Sequence, residues 1–160
     1  MFHNIVLLGD GGVGKTTWVN RLLGDPFEPR YFETRGVSYN TIEKDGVMFK
    51  IWDTAGQEKY SDLGSKIYHL AQLGIIFYDM ANKVSYKNVD VWVAKFRQAC
   101  PTAPIMIIGT KLGTEKLKIT REEHEKLRRF TDDLFMISNK DISFFMTPLN
   151  KAAAMFKYKA

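Results

Sequence analysis

Gly9-Asp10-Gly11-Gly12-Val13-Gly14-Lys15-Thr16 follows directly on the apolar run Phe2–Leu8. A buried strand, a glycine-rich turn and a helix start in that order form the signature of a phosphate-binding loop. Glycines let the backbone curl tightly enough to aim several N–H groups inward. The helix that follows adds the positive end of its dipole. Gly11, Gly12, Val13 and Gly14 then supply the cradle. Lys15 reaches the outer phosphates as a point charge, and the Thr16 hydroxyl is a ligand for Mg²⁺. The competing reading is a plain glycine turn, which the flanking strand and helix disfavour.

Outward from this loop, strand and helix patterns alternate, which argues for an α/β fold. Lys15–Leu23 reads as a helix, with Trp18, Val19, Leu22 and Leu23 at helical spacing. Residues 24–35 are polar and turn-rich. Val37–Glu43 and Val47–Trp52 read as strands joined at Asp45-Gly46, a strong hairpin turn. Residues 55–65 have no clean period and read as a mobile loop, and Lys66–Gln72 reads as the end of a short helix. Leu73–Met80 and Ile105–Gly109 are buried strands. Between them Val84–Ala99 is amphipathic, with Val89, Trp92, Val93 and Phe96 on one face. Thr120-Arg121-Glu122-Glu123 is a capping box opening a helix through Phe130. Leu134–Ser138 is a short strand, and Ile142–Tyr158 holds a last helix with Phe145, Leu149, Ala152, Ala153 and Phe156 facing inward. Only the Asp45-Gly46 hairpin should be antiparallel. The rest should form one parallel sheet with right-handed crossovers and helices on both faces. Ligands of such sheets bind at the carboxyl ends of the strands.

The 160 residues suit a single domain, 1–160, and an apolar share of 45 % is enough for a sizeable core. The lone cysteine, Cys100, excludes a disulfide framework or a zinc site and reads as a helix-end residue before Pro101. No stretch approaches the roughly 20 apolar residues of a membrane helix. Residues 1–8 are too short for a signal peptide, and neither end carries a lipidation motif. A net charge of +5 could favour an acidic partner, but the basic residues are interspersed with acids. A solvated surface with no nucleic-acid role is the reading this supports.

The second decisive segment is Trp52-Asp53-Thr54-Ala55-Gly56-Gln57-Glu58-Lys59. An aspartate ending an apolar strand can steer Mg²⁺ through a water. The Gly56 N–H can approach a terminal phosphate, and Gln57 can orient an attacking water. With the run Gly9–Thr17 and Tyr86-Lys87-Asn88-Val89, this segment makes the chain resemble a small GTPase of the Ras superfamily, most closely the Ran family. Ala71-Gln72 before a buried strand is similar to Ran as well. The likeness runs from Phe2 to about Leu112.

The resemblance implies a P-loop NTPase three-layer sandwich: a six-stranded, mostly parallel sheet with one antiparallel hairpin strand and about five helices. It implies Mg²⁺-dependent binding of GTP and GDP and slow GTP hydrolysis in a molecular switch. Thr17 falls within the matching loop. Thr34 takes the place of the first switch threonine, joining Thr16 and Asp53 at the metal and binding the terminal phosphate. Phe27 takes the place of an aromatic edge against the base, and Tyr31 that of a tyrosine over the phosphates. Lys15, Thr34 and Gln57 form the catalytic set. No arginine matches a built-in finger; Arg30 and Arg35 are near only in sequence. A partner arginine would therefore accelerate hydrolysis by about 10³ to 10⁵. Implied partners are an exchange factor, a GTPase-activating protein and Ran-type transport receptors, met by a soluble monomer in the cytoplasm or nucleus.

The departure lies in the base-recognition loop. The family pattern is Asn/Thr-Lys-x-Asp; this chain has Thr110-Lys111-Leu112-Gly113. Thr110 and Lys111 fit, the lysine stem packing on the base. Gly113 replaces the carboxylate that accepts two hydrogen bonds from guanine. Each lost charged bond costs about 1.5–3 kcal/mol, so GTP affinity should drop by about 10² or more, with weak purine discrimination. Glu115 is a candidate substitute. Ser138-Asn139-Lys140 resembles the family's Ser-Ala-Lys loop, whose backbone N–H, here at Asn139, binds the guanine oxygen. The sequence also has no acidic tail of the Ran kind. Two alternatives to a switch follow: a nonhydrolysing or weakly nucleotide-binding Ran mimic that competes for Ran partners, and a P-loop NTPase with relaxed base choice.

Overall fold

A computed structural model describes residues 1–24, 38–53, 65–111, 116–138 and 142–158. Among these, six strands form one sheet in the order β2-β3-β1-β4-β5-β6. They are β1 (His3–Leu8), β2 (Ser38–Lys44), β3 (Val47–Asp53), β4 (Leu73–Asp79), β5 (Ile105–Thr110) and β6 (Leu134–Ile137). Only β2 and β3 pair antiparallel; every other pairing is parallel. The reason is in the sequence. Parallel strands covered on both faces must be apolar throughout, and β4 and β5 are buried along their whole length. β3, next to the edge, alternates instead, with Val47, Phe49 and Ile51 buried and Met48, Lys50 and Trp52 less so. The hairpin turns at Asp45 (φ 52°) and Gly46 (φ 82°), both left-handed as a two-residue turn of this kind requires.

The core splits into two layers, one on each side of the sheet. On one side Ile5 and Leu7 of β1 meet Trp18 and Val19 of α1 (Lys15–Leu22) and Leu149, Ala152, Ala153 and Phe156 of α6 (Thr147–Phe156). On the other, Val6 and Leu8 meet Val89, Trp92, Val93 and Phe96 of α3 (Val89–Ala99). This is the expected three-layer α/β sandwich.

Several helices differ from the sequence reading. The expected Val84–Ala99 helix is two segments, α2 (Lys83–Lys87) and α3, meeting at Asn88. Asn82 opens α2 by accepting from the Val84 and Ser85 N–H groups. The last helix is also divided, into α5 (Ile142–Phe145) and α6, with Pro148 in the first turn of α6. Proline has no N–H to continue the earlier helix but suits the start of a new one. α4 (Arg121–Glu125) has both bonds of the capping box, then tightens into a 3₁₀ segment, Lys126–Arg129, and stops short of Phe130. Taking each divided pair as one rod leaves, among the described residues, four helices and a 3₁₀ segment, Ser65–Leu70, in the place of a fifth. Leu23, expected on the buried face of α1, is 41 % exposed. The helix ends at Leu22 and the chain turns at Gly24 (φ 85°), which releases Leu23 from that face. Cys100 caps the end of α3, its thiol directed at the Ala71 carbonyl at 3.4 Å.

Candidate functional site

The parallel register aligns the carboxyl ends of the inner strands. Leu7 of β1 lies opposite Asp53 of β3. Asp79 of β4 lies opposite Thr110 of β5, and Thr110 opposite Ile137 of β6. The glycine loop, Asp53, Lys111 and Ser138 therefore sit along one rim of the sheet, where ligands of open α/β sheets bind.

Gly9 leaves β1 with φ 139°, and Gly12 (φ 76°) and Gly14 (φ 99°) are also left-handed. A Cβ on Gly9 would lie 2.4 Å from the Phe77 carbonyl oxygen of β4, so the loop begins in backbone contact with its neighbour. Val13 is buried and roots the loop in the core, whereas Gly11 and Gly12 are exposed. Lys15, only 3 % exposed, turns back to donate from Nζ to the Gly9 carbonyl, closing the loop on itself. α1 begins at Lys15 with no side-chain cap and no acid in its first turn. That leaves positive dipole character directed at the loop. Thr17 lies half-buried in the same turn.

Thr16 donates from Oγ1 to Asp53 Oδ2 at 2.6 Å. A hydroxyl and a carboxylate brought together from a helix start and a strand end are hard oxygen donors of the kind Mg²⁺ takes. Asp53 is 3 % exposed, so the pair is screened little by water. These two residues fit the metal that the sequence implies.

Thr110 is fully buried. Its hydroxyl lies 2.8 Å from the Val13 carbonyl and 3.2 Å from that of Tyr78. One hydroxyl hydrogen serves Val13 better, so Thr110 fastens the glycine loop to β5. Lys111 adopts φ 70°, unusual for a lysine, and its ammonium lies 3.4 Å from Asp79 Oδ2. Holding such a conformation costs about 1–3 kcal/mol, which the surrounding structure must offset. Asp79 also accepts from the Ala81 N–H at 2.8 Å, so a fixed carboxylate orients the Lys111 ammonium. Ser138 is buried at the end of β6.

Sequence reasoning missed Asp79, Asp10, Asn88 and Trp92. Asp10 accepts from Asn88 Nδ2 at 2.8 Å and from Trp92 Nε1 at 2.9 Å. A charged end to an apolar strand, an acid inside a phosphate loop and the run Tyr86–Val89 mark these positions in the sequence, but none of them reports its distant partner. Phe27, Tyr31, Thr34, Gly56, Gln57, Gly113, Glu115, Asn139 and Lys140 lie outside the described residues, as do Arg30, Arg35 and most of the loop at 55–65.

A six-stranded, mostly parallel sheet with a glycine loop at the end of β1 defines the class: an α/β protein of the P-loop NTPase fold. The Ras family model matches residues 4–146, so the chain belongs to the Ras family. It is thereby a small GTPase of the switch type, a class that binds GTP and GDP with Mg²⁺, hydrolyses GTP and answers to regulators. Among the described residues no helix is long and apolar enough to cross a membrane.

Proposed function

We propose that residues 1–160 form a single Ran-like GTPase domain that binds GTP through Mg²⁺ and hydrolyses it slowly unless a partner supplies an arginine. The observation that carries this reading is the closed glycine loop, with Lys15 bonded to Gly9 and the Thr16–Asp53 pair beside it. Gly11, Gly12, Val13, Gly14, Lys15, Thr16 and Thr17 hold the phosphates. Thr16 and Thr34 would ligate Mg²⁺, and Asp53 would hold it through water. When bound, the ion neutralises charge on the phosphate oxygens. Gln57 orients the attacking water, and the Thr34 and Gly56 N–H groups meet the terminal phosphate. Phe27, Lys111 and the Ser138–Lys140 turn flank the base, Tyr31 the phosphates. Two loops, 24–36 and 56–65, change order with the terminal phosphate and present that state to exchange factors, activating proteins and Ran-type transport receptors. A soluble monomer in the cytoplasm or nucleus fits this role.

Purified protein incubated with GTP and Mg²⁺, with and without a Ran-type activating protein, should release phosphate over hours, faster with the activator. No release in either case rejects the reading.

The sequence Thr110-Lys111-Leu112-Gly113 favours a second reading, in which weak base recognition leaves the protein poorly loaded and competing for Ran partners. Chromatography of the denatured, freshly purified protein separates the two. A stoichiometric guanine nucleotide supports the switch; an empty protein that still binds a transport receptor supports the mimic. Binding of GTP, ATP, ITP and XTP in parallel tests relaxed base choice, which a large GTP preference would exclude.

A further inference from the structure

Asp10 is the only acid between Gly9 and Thr16. A negative charge within a loop built to hold phosphate oxygens opposes its own ligand. Each oxygen of this carboxylate is engaged by a distant residue: Oδ2 by the Asn88 amide, Oδ1 by the Trp92 indole N–H. Both donors come from the α2–α3 region, across the core from α1. The centroid of the same Trp92 ring lies 6.0 Å from the Lys15 ammonium, so one indole bonds the acid and faces the phosphate-side cation. Trp92 is only 2 % exposed and is fixed by the α3 layer, which makes it a rigid support.

We infer that Asn88 and Trp92 are positioning residues for nucleotide binding: they hold the Asp10 carboxylate on the α3 side of the loop, so that the loop amides and Lys15 meet the phosphates without its opposition. This rests on the reading of the loop as a nucleotide site. Two charge-assisted bonds tie a carboxylate in one orientation. Losing either donor loosens the hold on the carboxylate and lets its charge approach the loop mouth.

The test uses the full chain, a fluorescent GDP or GTP analogue with Mg²⁺, and thermal unfolding in parallel. Asn88→Ala and Trp92→Phe should each weaken nucleotide binding about tenfold or more, the loss expected for a bond to a charged group. In an Asp10→Asn background, where no charge needs holding, the same replacements should weaken it less than about twofold. That rescue is a signature which a purely structural role would not give. Equal losses in both backgrounds, following the fall in unfolding temperature, overturn the inference. So does unchanged binding by Asn88→Ala in the native background. Asn88 is only half-buried, so its variant keeps the test decisive should Trp92→Phe fail to fold. A wild-type protein that binds neither nucleotide instead rejects the nucleotide reading itself, a separate result.

Discussion

Gly9 has no room for a side chain. A methyl group there would meet the Phe77 carbonyl at 2.4 Å, on a backbone at φ 139° that other residues rarely adopt. Gly9→Ala must therefore push β1 from β4 or unwind the loop, and it should destabilise the fold by about 2 kcal/mol or more. The urea midpoint measures this directly. Gly12 provides the contrast, since a Cβ there meets nothing within 4 Å. Only its left-handed backbone opposes a side chain, so Gly12→Ala should cost about 1 kcal/mol. At Gly113 the change runs the other way. Gly113→Asp restores an acceptor for two guanine bonds and should raise GTP affinity by about 10² over wild type. Titration with a fluorescent guanine nucleotide would show it, and no gain would mean that another group already fills that role.

Local chemistry decided which elements were legible. The capping box at Thr120 and Glu123 could be read because its two bonds span three residues, and both bonds form, each at 3.1 Å. Thr120→Ala should cost about 1 kcal/mol of stability, seen as a lower urea midpoint. The division of the last helix was equally readable from Pro148, although an unbroken apolar stripe through Phe145, Leu149 and Phe156 masked it. The division at Asn88 was not readable. Its side chain bonds to Asp10, 78 residues away, and no local pattern reports such a partner. Asp79 was hidden for the same reason: its meaning comes from Lys111, which the register of β4 and β5 brings alongside. Thr110 shows how one element supports another. Thr110→Val keeps the shape but leaves the Val13 carbonyl without its donor, at about 1–3 kcal/mol. Because the loop is then released from β5, nucleotide should also dissociate faster, as a displacement trace from preloaded protein would register.

At the scale of the whole molecule, sheet and helices are locked by a few buried polar bonds that cross between layers, and one of them makes stability depend on pH. His124 of α4 is 1 % exposed and hydrogen-bonds through Nδ1 to the Tyr78 hydroxyl of β4. Burial pushes the Tyr78 pKa far up, with smaller contributions from Tyr86 and Glu123, so the phenol keeps its proton and is the donor. The imidazole is then neutral, with its hydrogen on Nε2. Tyr86 faces Tyr78 edge-on from α2 and donates to the Glu123 carbonyl at 2.7 Å. Among the described residues, Glu125 and Arg128 are the further charges acting on the ring. Burial lowers the His124 pKa below its ordinary 6.5; Glu125 opposes that shift and Arg128 adds to it. A lowered imidazole pKa means that the unfolded chain takes up the proton first as pH falls. Stability from this residue is thus complete above about pH 6.5 and drains away below it, by at most about 1.4 kcal/mol per pH unit. Glu125, whose pKa Arg128 lowers by a hydrogen bond, loses its smaller contribution only in more acidic solution, below its ordinary 4.5. Urea unfolding at intervals from about pH 8 to 5 should give a level stability that declines once pH passes below about 6.5. His124→Gln should remove that decline while lowering the plateau. Tyr78→Phe, which deprives neutral Nδ1 of its donor, should lower the plateau by about 1 kcal/mol and soften the decline. An acid decline as steep in His124→Gln as in wild type would assign it to another group and leave the Tyr78–His124 bond a fastening between layers without a role in pH response.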